Sequence, residues 1–149
     1  MRKIILFLFC IYSLFFVLGS TLAPIMAHYN QYNFSGYLSS LYIHACHQQP
    51  DRSFWFFGYP VALCCRCYGF YLGTFFSSIV AFLNKLKLSF KMVIGLFLLT
   101  LVDIVLNFIF NINTGNYIRF FIGLIMGLLF IFILCCLLKF LKERLNNAH

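Results

Sequence analysis

Apolar residues fall along the chain in four long runs separated by short polar stretches. The first extends from Ile4 to about Ala27 behind Arg2 and Lys3. The second goes from about Pro60 to Leu83, the third from Met92 to Phe110 and the fourth from Tyr117 to Leu138. Each approaches the ~20 residues that a helix needs to cross the hydrocarbon of a bilayer. The pattern predicts an all-α integral membrane bundle of about four transmembrane helices, built as one domain over residues 1–149. The helices are expected at about 4–27, 60–83, 92–110 and 117–138, with one ordered outer loop at 28–59. That loop is expected to fold back on the mouth of the bundle, where its polar residues find partners. The first run also has the order of a signal peptide, basic then apolar, with Ala27 as a possible cleavage site. Ile25 suits such a site poorly and the run exceeds a signal core, so a retained helix is the expectation.

Composition agrees with this reading. The chain is 63% hydrophobic and 9% charged, and Phe alone supplies 21 residues. A soluble domain carries about 25% charged residues. Mean hydropathy is +0.94, and so much apolar surface needs lipid around it.

The formal net charge of +8 raises the question of nucleic acid, but no basic stripe interleaves with aromatics as such binding needs. The cations instead flank the apolar runs, where they set topology and meet anionic headgroups. With four alternating helices, Arg2, Lys3, Lys85, Lys87, Lys91, Lys139, Lys142 and Arg144 fall on one side. Arg52, Arg66 and Arg119 fall on the other. Positive residues stay cytoplasmic, which places both termini inside a plasma membrane of bacterial type and the 28–59 loop outside. The lipid bilayer is the expected partner; nucleic acid is not.

The chemistry concentrates in and after that loop. Of seven cysteines, Cys10, Cys135 and Cys136 lie within apolar runs and read as small packing residues. Cys46 lies in the loop between His44 and His47, and Cys64, Cys65 and Cys67 open the second run. Cys64 and Cys67 form a C-x-x-C pair, and Cys46 with His47 supplies further ligands at short range. Cys46, His47, Cys64 and Cys67 are therefore a candidate site for zinc or another soft metal. Two other readings stay open. Paired thiols outside the cytoplasm are a thiol–disulfide oxidoreductase motif, here exchanging electrons with a membrane quinone, or a plain structural disulfide. Arg66 between the sulfurs favours a thiolate, which helps a ligand and a nucleophile alike. His28 reads as a solvated loop residue, and Trp55 and Tyr59 as an interfacial aromatic belt.

Asp103 is the one acidic residue inside an apolar run, and an intramembrane carboxylate marks a functional site or a buried pair. Arg119 at the start of the fourth run is its first expected partner, ahead of Arg66, Arg52 or a bound metal. Asn107 lies one turn beyond on the same helical face. Gly123 and Gly127 form a G-x-x-x-G stripe suited to close helix packing. With one intramembrane charge and no duplicated halves, a small transporter or channel subunit ranks as the last reading, although an oligomer can build a pore.

Two segments carry a resemblance. Cys46-His47-Gln48-Gln49-Pro50-Asp51-Arg52-Ser53-Phe54 and Cys64-Cys65-Arg66-Cys67-Tyr68-Gly69-Phe70-Tyr71-Leu72-Gly73 resemble the C-H-Q-x-P-x-R-S-F and C-x-R-C-x-G-x-Y-x-G segments of DUF2085, a family of small predicted membrane proteins of unassigned function. Asp103, Asn116, Arg119, Gly123 and Gly127 continue the likeness. The resemblance implies that Cys46, His47, Arg52, Cys64, Arg66, Cys67, Asp103 and Arg119 act as one set. It leaves His44 and Cys65 outside. The layout of four helices with an outward C-x-x-C is also similar to that of the quinone-linked disulfide-forming enzymes, by analogy of layout alone.

Overall fold

The structure, a computed structural model, describes residues 2–84, 89–109 and 114–146. Lys85, Lys87, Phe110 at the end of the third apolar run and residues 111–113 beyond it lie outside the described residues, as does His149. The elements in chain order are α1 (Arg2–His28), α2 (Tyr32–Ser40), a single 3-10 turn (Pro50–Arg52), β1 (Ser53–Phe56), β2 (Tyr59–Cys64), α3 (Cys65–Phe82), α4 (Phe90–Phe108) and α5 (Asn116–Asn146). Four long helices thus coincide with the four apolar runs. Two of them, α1 and α5, are long and apolar enough to cross a membrane.

The expected helix at 60–83 needs correction: its first residues are a strand, and the helix begins at Cys65. The cause is the Phe57-Gly58 pair, with φ of 54° and 82°. Positive φ at both central residues is the type I′ geometry that matches the twist of a two-residue hairpin. Phe56 therefore pairs with Tyr59 and Trp55 with Pro60, and after an irregularity Ser53 pairs with Cys64. The fold is mostly helical with one antiparallel hairpin, not all-α, and the 28–59 segment carries α2 and β1 rather than loop alone. The last helix extends past the expected Leu138 to Asn146.

Small residues decide how the helices meet. A Cβ added at Gly69 or Gly73 of α3 would run into the Phe120 or Leu124 carbonyl oxygen of α5. One added at Gly123 or Gly127 of α5 would strike the carbonyl oxygen of Arg66 or Phe70. Two G-x-x-x-G stripes therefore face each other and bring backbone against backbone, as small-residue helix pairs do in membranes. The interface of α1 buries Ser13, Ser20, Ala23 and Ala27, and α3 buries Thr74, Ser77, Ser78 and Ala81. Ser13 and Ser20 return their hydroxyls to the Phe9 and Val17 carbonyls of their own helix, at 2.6 and 3.0 Å. The outer faces are apolar: Phe7, Leu8 and Phe15 on α1, Phe97 and Leu98 on α4, and Phe121 and Ile133 on α5 are exposed.

The hairpin end has its own core. Tyr42, fully buried, sits in the notch at Gly19 of α1, with its ring 5.1 Å from that of Phe16. Phe16, Ala23, Leu38, Cys46, Ala62 and Leu63 close around it. This cluster fastens the 32–64 excursion to α1 and so fixes where Cys46 can lie.

Replacing Gly127 with Leu is expected to lower the stability of the detergent-solubilised protein by about 2 kcal/mol or more, because a backbone cannot yield as an overpacked side chain does. Gly36→Ala, at a glycine with open space around it, is the control. Equal thermal unfolding midpoints for the two variants would contradict the backbone contact.

Candidate functional site

Three sulfurs meet at the hairpin end. The Sγ atoms of Cys46, Cys64 and Cys67 all lie within 4.8 Å of one another, and those of Cys64 and Cys67 are 3.3 Å apart. The approach follows from local structure. Tyr42 is anchored on α1, and the turn after it carries Cys46, whose amide donates to the Tyr42 carbonyl at 2.9 Å. Cys64 ends β2 and is the N-cap of α3, and Cys67 lies in the first turn. Both therefore sit at a helix N-terminus, beside its unsatisfied amides. The backbone amide of Cys64 donates to Cys46 Sγ at 3.2 Å.

Hydrogen bonds from the Cys64 thiol, and next from that of Cys67, hold the Cys46 thiol well below its ordinary pKa, with the Cys64 and Gln48 amides helping. Burial works against them. The Cys64 thiol is displaced upward by its bond to Cys46.

The C-H-Q-x-P-x-R-S-F segment now has a physical reading. Gln48 takes a left-handed backbone (φ 50°) and its side-chain amide donates to the Ser39 carbonyl, which tucks the chain back against α2. Pro50 opens the 3-10 turn and its carbonyl accepts from Trp55 Nε1 at 3.0 Å. Ser53, buried, donates to the Gln49 carbonyl at 3.0 Å. Asn116, at the start of α5, donates to the Asp51 and Ser53 carbonyls at 3.3 and 3.4 Å. Phe54 packs among Tyr68, Tyr117 and Phe120, with ring centroids 5.6 to 6.4 Å apart. These contacts bring Arg52 beside the sulfurs.

A cavity of about 390 Å³ opens at the cluster and is lined by Cys46, Cys64, Cys67, His47, Gln49, Arg52, Arg66, Asn107 and Arg119, with Ala45. Its floor is a polar network. Arg66 Nη2 pairs with Asp103 Oδ2. Asn107 donates to Asp103 Oδ1 at 3.0 Å, and Thr114 donates to the same oxygen at 3.1 Å. Arg119 donates through Nε and Nη2 to Asn107 Oδ1, at 3.2 and 2.8 Å. Asp103 and Arg119 are buried, at 5% and 7% exposure, so neither carries its charge into the interior alone.

Against expectation, the carboxylate's direct partner is Arg66, and Arg119 reaches it through Asn107. Geometry explains the exchange. Arg66 leaves α3 at the glycine contact with α5, within reach of α4, whereas both guanidinium bonds of Arg119 go to Asn107. His47 also departs from the expected set. Its side chain is exposed and lines the cavity, but it does not join the three sulfurs. Cys65 is buried outside the cluster and His44 is exposed. His28 stacks on Phe57, with centroids 4.7 Å apart. Sequence reasoning passed over Thr114, whose hydroxyl completes the Asp103 network. It also passed over Tyr42 and the Gly69/Gly73 stripe; the spacing of the two glycines was the available signal.

Comparisons with known proteins agree on kinship. The family described as predicted membrane protein (DUF2085) matches residues 46–133. An uncharacterised protein of Methanocaldococcus jannaschii is 34% identical over 129 residues, covering 80% of this chain and 83% of that protein. An uncharacterised protein of Methanothermobacter thermautotrophicus is 35% identical over 86 residues, covering 56% of this chain and 78% of that protein. No solved structure matches.

Asp103→Ala leaves the Arg66 charge without its partner and is expected to destabilise the protein by about 2 kcal/mol, below the 3–5 typical of a fully buried pair because Arg66 is partly exposed. Adding Arg66→Met should recover part of that loss. A double-mutant cycle in detergent measures it; strictly additive effects would show that the pair is not coupled.

Proposed function

We propose that this chain, which belongs to the DUF2085 family of predicted membrane proteins, crosses the bilayer four times and holds one soft metal ion on Cys46, Cys64 and Cys67 at its outward mouth. The observation that carries the reading is the convergence of three sulfurs within 4.8 Å. Thiolates about 2.3 Å from a tetrahedral zinc lie roughly 3.8 Å from one another, a spacing this cluster reaches with small side-chain adjustments. Three soft donors at one point select zinc, copper(I) or a similar ion over hard cations. The amide of Cys64 already donates to one of them, as partners around a metal-bound thiolate do.

Three protein ligands would leave one coordination position for a further ligand, and the three cysteines line the cavity. A structural zinc site is closed by a fourth protein ligand; an open one serves reaction or transfer. His47 lines the same cavity and is the side chain at hand to close the shell.

The membrane topology follows from length and charge. The 18 residues of α3 and the 19 of α4 rise about 27 and 28 Å, close to the ~30 Å hydrocarbon thickness. The cation distribution then puts both termini inside and the sulfurs outside.

A second reading rests on the 3.3 Å separation of the Cys64 and Cys67 sulfurs. Oxidation of these two thiols to a disulfide releases two electrons and two protons, which reduce one quinone to quinol. Arg66 and Arg119 would stabilise the anionic charge that develops.

Protein purified without chelators is expected to carry about one equivalent of zinc or another soft metal. Cys46→Ser, Cys64→Ser and Cys67→Ser should each remove most of it, and acidification should release it as the thiolates protonate. Metal content unaffected by all three substitutions defeats the metal reading. A free-thiol count on the same sample, with and without quinone, separates the second reading: loss of two thiols on adding quinone supports it. In intact cells a tag at either terminus should resist external protease, and digestion of a C-terminal tag would overturn the topology.

A further inference from the structure

The arginines of the cavity have more donors than the protein uses. Arg52, Arg66 and Arg119 line the same 390 Å³ space as the three sulfurs. Arg66 spends Nη2 on Asp103, and its Nε is buried without a hydrogen-bond partner among the described residues. Arg119 donates through Nε and Nη2 to a neutral amide oxygen, that of Asn107. Arg52 has Asp51 at 3.9 Å, but both side chains are open to solvent, at 50% and 77% exposure, and such a pair is weak. A buried guanidinium N–H without an acceptor is costly, and three cations around one space repel one another unless an anion joins them.

The charge count points the same way. Asp103 is the buried carboxylate of the set, and three thiolates on a divalent ion would leave a single negative charge. Asp51 beside Arg52 is open to solvent and offsets that guanidinium weakly, so within the cavity three guanidiniums exceed two negative charges. Guanidinium forks match the oxygens of phosphate by paired N–H···O bonds. The volume falls within the range of small-molecule sites, which leaves room for more than the anionic group itself.

We infer that the cavity binds a phosphate group, held by Arg52, Arg66 and Arg119 beside the three cysteines. The guanidinium contacts do not need the metal. Only the charge count above rests on the preceding reading. The group has two possible sources, a soluble phosphate compound entering from the aqueous side or the headgroup of a phospholipid entering from the membrane, and the chemistry recognised is the same.

The test uses the full chain in a maltoside detergent, which carries no phosphate, with metal content measured on the same sample. Inorganic phosphate and a short-chain phosphatidic acid are titrated by calorimetry against metal-loaded and chelator-treated protein, with chloride as the control anion. Binding of at least one probe, weakened about tenfold by Arg52→Gln and partly restored by Arg52→Lys, is the expected result. Arg52 is half exposed, so its replacement leaves the fold intact. Binding of inorganic phosphate identifies a soluble source; binding of the lipid alone identifies the headgroup. No binding of either probe to metal-loaded protein overturns the inference and leaves the metal reading standing. Equal binding by the wild type and Arg52→Gln overturns it as well. Phosphate binding by a protein that holds no metal supports this inference while defeating the other.

Discussion

No side chain fits between α3 and α5 where Gly69, Gly73, Gly123 and Gly127 meet, and the rest of the structure depends on that contact. Two helices that touch through main-chain atoms have one register open to them, because any slide brings a Cβ onto a carbonyl. The register is set at the hairpin end. Gly123 lies on the Arg66 carbonyl, and Arg119 is one turn away on the same helix. The first turns of α3 and α5, which carry Arg66, Cys67 and Arg119, are thereby held side by side.

From that alignment follows the arrangement of charge. Membrane helices tolerate an ionised residue when its partner is already in place. Here α4 supplies Asp103 and Asn107, α3 supplies Arg66 and α5 supplies Arg119, so that three helices are joined by one network. The apolar faces of α1, α4 and α5 that point away from the bundle say nothing specific about function. The polar interior at one end says a good deal, since every charged group there is expensive unless it serves a purpose or a neighbour.

How much of this the sequence made legible depended on the kind of signal. Four apolar runs announced four long helices, because a hydrophobic stretch of that length has few other uses. The cysteine segments announced a cluster, because C-x-x-C brings two sulfurs together whatever surrounds it. The hairpin was missed for a physical reason: Val61, Ala62, Leu63 and Cys64 are as apolar as the helix they precede. The distinction lay in the backbone conformation of Phe57 and Gly58. Asp103 was recognised as needing a partner, but the identity of that partner depended on the glycine register of α3 and α5, which one sequence does not reveal. His47 stands beside Cys46 in sequence, yet the tight turn around Gln48 leaves its side chain exposed at the cavity instead of among the three sulfurs. Adjacency along a chain is not adjacency of side chains.

The segment that leaves at Cys46 and returns at Cys64 forms a ring of chain, its ends joined by an amide-to-sulfur bond across 18 positions. Closing a flexible loop of that size opposes chain entropy by roughly 2.5 kcal/mol, more than the ~1 kcal/mol an ordinary hydrogen bond returns. The sulfur junction therefore cannot be what shuts the ring. The seating of Tyr42 at Gly19 and the turn at Phe57-Gly58 do that, by apolar and conformational means. The mouth is preorganised: a ligand arriving there meets Arg52 and the three sulfurs already assembled, and little of its binding energy is diverted into ordering the chain.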